Sequence, residues 1–312
     1  MKFSITIPAY KSQFLAEAIE SVVIQNYADW ELIIVDDCSP EDLETIVRPY
    51  LTDERIHYFR NEKNCGAVDV VDNWNICLDH CIGDCVICMG DDDRLLPCCL
   101  EEYKKLTEQY PDLNVYHART EIINEQGDIV SLQEQRPQWE SVLSFLWNRW
   151  DHRNKQFIGD FCYRTDYLKS HGGYYKMPLA WGSDDITAVL AAKEHGIANT
   201  QTLCFQYREN SQTITSSTSN ARIKIEARII QLQWYEKFLH EMESLPLSST
   251  DKKYLQTIRQ PQRKYFFKAL DKDVPNYVKC RPNRLMQCCR ILYPFHYSKI
   301  QFMKWYLKSL NS

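Results

Sequence analysis

A doubly wound, mostly parallel α/β sheet is the fold that residues 1–97 predict, on three observations. Short apolar or β-branched runs alternate with segments of helical periodicity, in the order β-α-β-α-β-α-β. The connections are short, which favours parallel neighbours joined through helices. Three of the strands end in polar or turn-forming residues, Pro8-Ala9-Tyr10, Asp36-Asp37 and Asp91-Asp92-Asp93. Open α/β sheets bind ligands at such carboxyl ends.

Taken in order, residues 3–7 (FSITI) are a β-branched strand stopped by Pro8. Residues 9–12 form a loop, with Ser12 placed to cap a helix over 14–25 whose apolar face is 15, 18, 19, 22 and 23. Strand 30–35 (WELIIV), helix 41–51, strand 56–59 and helix 68–81, stopped by Gly83, lead to strand 85–89. A helix over 98–110 ends at Pro111. Residues 114–123 and 129–132 pair as a hairpin around Glu125-Gln126-Gly127-Asp128. Residues 139–150 read as helix, 157–164 as extended chain, and Gly172-Gly173 as a turn. Ser183 is placed to cap a helix reaching His195, with Gly196 as its stop, and 202–208 is a strand. The polar loop 209–220 marks a boundary, dividing residues 1–215 (halves 1–97 and 98–215) from a helical region, 216–312, with helices over 223–242 and 251–270.

The 312 residues suffice for one large domain and a smaller one. A net charge of −5 argues against nucleic acid as partner. That charge is uneven: no acid follows Asp273, and Lys279, Arg281, Arg284, Arg290, Lys299, Lys304 and Lys308 give the tail +7 against −12 for the rest. Tyr293, Phe295, Tyr297, Phe302, Trp305 and Tyr306 are interleaved with these cations. The composition suits a helix lying on anionic lipid, and equally a helix packed on the main domain with its lysines in solvent. Neither a leader peptide nor a run of 18 apolar residues is evident, so the expected location is the cytoplasm, with the tail as a peripheral contact to the inner face of the plasma membrane. The 13 cysteines read as free thiols of a reducing compartment. Cys77, Cys81, Cys85 and Cys88 cross a helix, a break and a strand, and read as buried small apolar residues.

The strongest local signal is CVICMGDDDRLLP at 85–97. Three adjacent carboxylates at the mouth of a buried strand repel one another and are costly beside a core. A hard cation, Mn²⁺ or Mg²⁺, offsets that cost, taking a few carboxylate oxygens and completing its shell with phosphate and water. A solvated acidic turn is the plainer reading. Neither a dinucleotide fingerprint nor a P-loop occurs, so phosphate has to be handled without a glycine-rich loop. A second acidic pair, Asp184-Asp185, opens the helix after Gly182; its plainer reading is first-turn acids complementing the helix dipole.

Three blocks carry a resemblance: ITIPAYKSQFLAEAIESVVIQNYADWELIIVDDCSPED, NEKNCGAVDVVDNWNICLDHCIGDCVICMGDDDRLLP and AWGSDDI. Together they resemble the family 2 glycosyltransferases of the bacterial surface-polysaccharide type, over roughly residues 1–215. The resemblance implies a GT-A fold, Rossmann-like, with 1–97 binding the nucleotide and 98–215 the acceptor. It implies inverting, metal-dependent transfer of one sugar from a nucleotide-sugar, a UDP-sugar first, to a hydroxyl of a glycan or lipid-linked acceptor. By position, Pro8, Ala9 and Tyr10 would line the base pocket and Asp37 would bond the uracil edge. Asn64, Gly66 and Asn73 match an N-x-G…N segment beside the nucleotide, although Asp72 stands where the family carries Arg. Asp91, Asp92 and Asp93 match the D-x-D region, with Asp92 toward the ribose, Asp93 on the metal and Asp91 the most dispensable. Asp184 falls at the general base, kept ionised by its helix N-terminus; Ser183 replaces the Glu of the family pair, and Asp185 competes for the role. Arg208 would reach the diphosphate in place of the missing Arg, against the plain reading of an outward Arg at a strand end. The QxxRW motif of processive synthases is absent, which implies single-sugar transfer.

Two other readings fit parts of the chain. One is a nucleotide-sugar-binding scaffold without activity, docked by its tail on a membrane or partner. The other is a nucleotidyltransferase, which would want a glycine-rich basic loop where Pro8-Ala9-Tyr10-Lys11 stands.

Overall fold

In a computed structural model of the protein, the described residues are 1–151, 153–210, 220–279, 281–292 and 299–310. The chain opens with β1 (Phe3–Ala9), α1 (Leu15–Val23) and β2 (Trp30–Asp36). Every residue of β2 is buried, as expected of a strand covered on both faces. The N-cap of α1 is Phe14, without a side-chain cap; Ser12, expected as the cap, lies two residues earlier and donates its backbone N–H to Glu41. There follow α2 (Leu43–Val47), capped by the Asp42 carboxylate, β3 (Ile56–Arg60), α3 (Val70–His80) and β4 (Cys85–Cys88). β3, β2, β1 and β4 lie side by side in that order, all parallel, which places the ends of β1, β2 and β4 on one rim.

The second half of the sheet is mixed. Its elements are β5 (Arg94–Leu95), α4 (Cys99–Gln109), β6 (Val115–Ile123), β7 (Ile129–Leu132), β8 (Trp139–Glu140), α5 (Val142–Trp150), β9 (Phe161–Arg164), α6 (Thr165–Ser170), α7 (Ser183–Ala192) and β10 (Ile197–Arg208). β9 is antiparallel to both β4 and β6 and joins the two halves; β10 runs parallel to β6. The expected 114–123/129–132 hairpin is the antiparallel β6–β7 pair. Residues 139–150 are not one helix: Trp139–Glu140 pair with β10, and the Ser141 hydroxyl then accepts from Ser144 N–H to start α5.

The C-terminal helices are α8 (Ala221–Glu243), α9 (Ser249–Thr257), α10 (Arg259–Val278), α11 (Pro282–Leu292) and α12 (Lys299–Ser309). The stretch 251–270, expected as one helix, breaks near Ile258. Pro261 then falls in the first turn of α10, where a missing N–H leaves no intrahelical bond unmade. Two hydrophobic clusters sandwich the sheet. One packs Phe3, Ile5 and Ile7 of β1 against α1 and α4. The other packs Ile33, Val35 and Val86 against α3, α5 and α7, and is continuous with Leu232, Tyr235 and Phe238 of α8 and Phe266 of α10. The core therefore runs unbroken past residue 215. A third cluster buries Phe302 and Trp305 of α12 against α8 and α10, with the Trp305 Nε1–H bonded to Asp271 at 3.0 Å. The tail thus packs on the protein, while its interleaved Tyr293, Phe295 and Tyr297 lie outside the described residues. Cys77, Cys81, Cys85 and Cys88 are all buried free thiols.

Candidate active site

β4 delivers the acidic turn to the rim, and each of its carboxylates has a different partner. The Asp91 carboxylate accepts from the backbone N–H groups of Tyr10 (2.8 Å) and Lys11 (2.7 Å), so it shapes the loop after β1. Burial and the neighbouring Asp92 raise its pKa to about 6. The residue expected to be most dispensable is the strap between two strand ends. Asp93 is 3% exposed and accepts from Arg208 N–H at 2.9 Å. Burial, then Asp92, hold its carboxyl well above the usual range. Asp92 accepts from the Asn210 side chain at 2.5 Å.

Arg208 does not project toward a ligand. Its guanidinium donates to Glu17 (2.7 Å) and to the carbonyls of Asp92 (2.9 Å), Glu125 (3.1 Å) and Asn124 (3.3 Å), and it stacks 4.0 Å over Phe14. At 1% exposure this cation staples the acidic turn to the β6–β7 turn and α1, which corrects the expectation of a diphosphate contact. Its charge pairs with Glu17, leaving the Asp92 and Asp93 carboxylates without a cationic side-chain partner at hydrogen-bond distance among the described residues.

The donor set of the turn fits a hard cation shared with phosphate. A Cβ on Gly90 would stand 2.9 Å from both Asp92 Oδ1 and Asp93 Oδ2, so the two oxygens not bonded to Asn210 and Arg208 face a common space that only glycine leaves open. No cluster of three or more His, Cys, Asp or Glu suited to a metal occurs among the described residues. Two carboxylates plus substrate phosphates and water is the usual Mg²⁺ or Mn²⁺ arrangement, in contrast to an all-protein cage.

At the end of β2, Asp37 lies beside the β1 loop: its N–H donates to Ala9 O (2.9 Å), and its Oδ1 accepts from Asn61 and Cys65 N–H, both at 2.9 Å. Asn64 donates to Asp37 O at 2.7 Å, and the left-handed Gly66 (φ +79°) turns the chain back toward α3. Asn73 is buried and accepts from Asn61, so it braces Asp37 from behind, away from the open rim. Asn61 was not anticipated; the parallel pairing of Asp36 with Arg60 puts it next to Asp37 and is the signal that could have found it. Asp36 is structural, accepting from Ser39 N–H, Tyr58 OH and Arg60. Ala9 is buried, Pro8 half-buried and Tyr10 exposed at the rim. Where the family resemblance expects Arg, Asp72 pairs with Lys176 at 2.7 Å.

The second acidic pair sits on a strained loop. Leu179 (φ +60°), Ala180 (φ +52°) and Gly182 (φ +92°) are all left-handed, and Leu179 N–H is tied to Val68 O at 2.8 Å. Non-glycine residues in this region cost about 1–3 kcal/mol each and persist where surroundings over-determine them. The N-cap of α7 is Gly182; Ser183 is the first helical residue, and its hydroxyl accepts from Met177 N–H. A Cβ on Gly182 would lie 1.7 Å from Gln231 Nε2 of α8, so loop and helix are in contact at the closest possible distance.

The two aspartates diverge. Asp185 is buried and held by Arg149 (3.0 and 3.4 Å) and by Gln156. Both line a hollow of about 630 Å³ with Trp181, Tyr207, Asn210 and, from α8 and α10, Arg228, Tyr265 and Lys272, but among the described residues Asp184 forms no ion pair there. Burial and the charge of Asp185 raise the Asp184 pKa to about 7. Desolvation and Asp185 thus oppose the helix N-terminus, which was expected to favour the ionised form. Tyr207 stacks on Phe157 at 3.7 Å along one wall. Asn210, bonded to Asp92 and lining the same hollow, joins the acidic turn to the Asp184 side.

Residues 4–168 match the family described as Glycosyl transferase family 2. The chain belongs to glycosyl transferase family 2. Over 97 residues it is 43% identical to the putative colanic acid biosynthesis glycosyl transferase WcaA of Escherichia coli K12, covering 30% of this chain and 33% of that relative. The chain thus spans about a third of that relative's length. Among solved structures, Staphylococcus aureus TarS residues 1–349 with UDP-GlcNAc superposes with a TM-score of 0.67 at 16% identity, covering 98% of this chain and 89% of that one. The mannosyltransferase PcManGT of Pyrobaculum calidifontis, in complex with GDP-Man and Mn²⁺, gives 0.53 at 13%, covering 99% and 84%. At these identities the likeness is one of fold, GT-A. In this family 2 chain the far wall of the Asp184 hollow comes from α8 and α10, beyond the family match.

Proposed function

We propose that the protein is an inverting glycosyltransferase that moves one sugar from a UDP-sugar to a hydroxyl of a glycan or lipid-linked acceptor in surface-polysaccharide assembly. The observation that carries this is the separation of two carboxylate sites on one rim: Asp92 and Asp93 facing the space over Gly90, and Asp184 facing the adjoining hollow. The UDP-GlcNAc bound by the structurally similar TarS supports the donor class.

In this reading Asp37, fixed by Asn61 and Cys65, accepts from the uracil edge, with Pro8, Ala9, Tyr10, Asn64 and Gly66 around the base. Asp92 takes the ribose, and Asp93 with Asp92 would hold Mn²⁺ or Mg²⁺, which when bound neutralises charge on the departing diphosphate. Asp184 accepts the proton of the acceptor hydroxyl, and a pKa near 7 suits a general base at neutral pH. Attack from the face opposite the leaving group inverts the anomeric carbon. Asp185 is a positioning residue, fixed by Arg149 and Gln156.

The nucleotidyltransferase alternative needs free backbone amides after β1, and those of Tyr10 and Lys11 are already bonded to Asp91. The scaffold alternative is separated by one assay: incubation with UDP-sugars and Mn²⁺. Slow donor hydrolysis to UDP, accelerated by acceptor glycans, is expected; donor binding with no turnover across a panel of UDP-, GDP- and TDP-sugars would leave a binding protein.

An anionic membrane surface is the further partner in this reading. No described helix is long and apolar enough to cross a membrane. On α12, Ile300, Met303 and Leu307 are exposed at helical spacing, with exposed Leu310 just past its end, on the side away from buried Phe302 and Trp305. With no acid after Asp273, such a face fits anionic lipid. Met303→Glu with Leu307→Glu is expected to abolish salt-sensitive binding to phosphatidylglycerol vesicles; unchanged binding would reject this surface.

A further inference from the structure

Building on the glycosyl-transfer reading, we propose that the acceptor is anionic, its phosphate, diphosphate or carboxylate bound by Arg228, Lys268 and Lys272 while its hydroxyl meets Asp184. The hollow beside Asp184 does not end at Trp181. A second hollow of about 210 Å³ shares Trp181, Arg228, Tyr265 and Lys272 with it and adds Lys268, Ala269 and Asp273. Lys268 and Lys272, one turn apart on α10, lie on one helix face, where like charges repel. Arg228 of α8 is brought against the same space, its guanidinium 5.2 Å from the Trp181 ring and 5.8 Å from Tyr265. None of these three cations forms an ion pair among the described residues.

The acid of this hollow, Asp273, is itself buried and is attracted first by Arg228, then by Lys224 and Lys272; with Lys224 lying 4.7 Å over Trp181, one acid meets four cations. Positive charge therefore remains in excess. Two donors at this end also lack partners: Arg228 Nε and Trp181 Nε1 are buried without a hydrogen bond. Buried donors are normally satisfied, and an oxyanion is the acceptor that three cations would favour. The rest of the cleft has the opposite sign, with Asp184, Asp185 and Glu209 against Arg149. A ligand with a neutral hydroxyl at one end and an anion at the other is oriented by that polarity. A neutral glycan would leave the cations uncompensated and lose the orienting contact.

The probes are glucoside, glucuronide and glucose-1-phosphodiester, each as the methyl and the decyl derivative. Their binding is measured by calorimetry to the full chain saturated with UDP and Mn²⁺. The charged members are expected to bind about 10- to 100-fold more tightly than the glucoside. That ratio should fall toward unity in Lys268→Ala/Lys272→Ala, two exposed positions, with UDP affinity unchanged. A decyl preference assigns the anion to a lipid-linked acceptor, and equal methyl and decyl affinities to a soluble acidic saccharide; both support the site. Equal affinity for neutral and charged probes, or a charge preference that survives the double substitution, would overturn it. Failure of the wild-type chain to bind UDP would count against the donor reading instead, and is seen in the same titration before any probe is added.

Discussion

The two sides of the cleft are built by different means. On the donor side, backbone groups do the positioning: Asp91 takes two consecutive loop amides, Asp37 takes one and donates another, and Asp93 takes the amide of Arg208. Around Asp184 and Asp185, side chains from separate segments do it: Arg149 of α5 and Gln156 of the following loop hold Asp185, Gln231 of α8 packs on Gly182, and α10 supplies the lysines. A wall whose donors are backbone amides keeps them whatever side chains stand there, proline excepted, and depends only on the carboxylates that accept them. A wall made of side chains changes its ligand whenever a residue changes.

The sharpest way to break that contrast is Asp184→Asn. Transfer should fall by about 10²- to 10⁴-fold with UDP binding retained; wild-type turnover would move the base to Asp185. The same variant tests the pKa. Because the folded-state pKa of Asp184 is raised to about 7, its contribution to stability is full below the unfolded value near 4 and is lost as pH rises through 7. Asp184→Asn should therefore melt higher than wild type at pH 8 and no higher at pH 4. Next in size, Asp93→Ala should remove the Mn²⁺-dependent part of donor affinity, about tenfold or more. Titrations with and without the ion that match wild type would reject Asp93 as ligand.

Gly182→Ala probes the junction of loop and α8. The left-handed φ and the 1.7 Å approach to Gln231 are expected to cost about 2–4 kcal/mol. Chemical denaturation measures the loss, and acceptor-dependent turnover should fall while UDP affinity holds. An equal loss of UDP binding would mean the two sides are not separable. The smallest effect is on pH: kcat/KM should rise with pH and level off above about 7, as Asp184 loses its proton. A limb near pH 4 would place an ordinary exposed carboxylate in the role of base.

Most of the donor half was legible in the chain. Alternating strands and helices of the right period imply a parallel sheet, and a parallel sheet brings its strand ends together, so Asp37 and Asp91–Asp93 had to meet on one rim. The acidic pair at 184–185 was legible as the start of a helix, although Ser183 was expected as the cap where Gly182 stands, and its role as base came from the resemblance of AWGSDDI. What the chain could not disclose was which carboxylate is spoken for. Asp185 is withdrawn by Arg149, 36 positions away, Asp91 by amides 80 and 81 positions away, and Arg208 by Glu17, 191 positions away.

By itself, then, the sequence determined the sheet, the rim and the residue types gathered there, because periodicity and turn chemistry act over a few residues. Only the tertiary structure decided that Asp185 and not Asp184 pairs with Arg149, that the Arg208 guanidinium is taken up by Glu17 and backbone carbonyls, and that α8 and α10 bring Arg228, Lys268 and Lys272 beside Trp181. Each of those outcomes depends on burial and on partners far along the chain, and both are set when the elements pack.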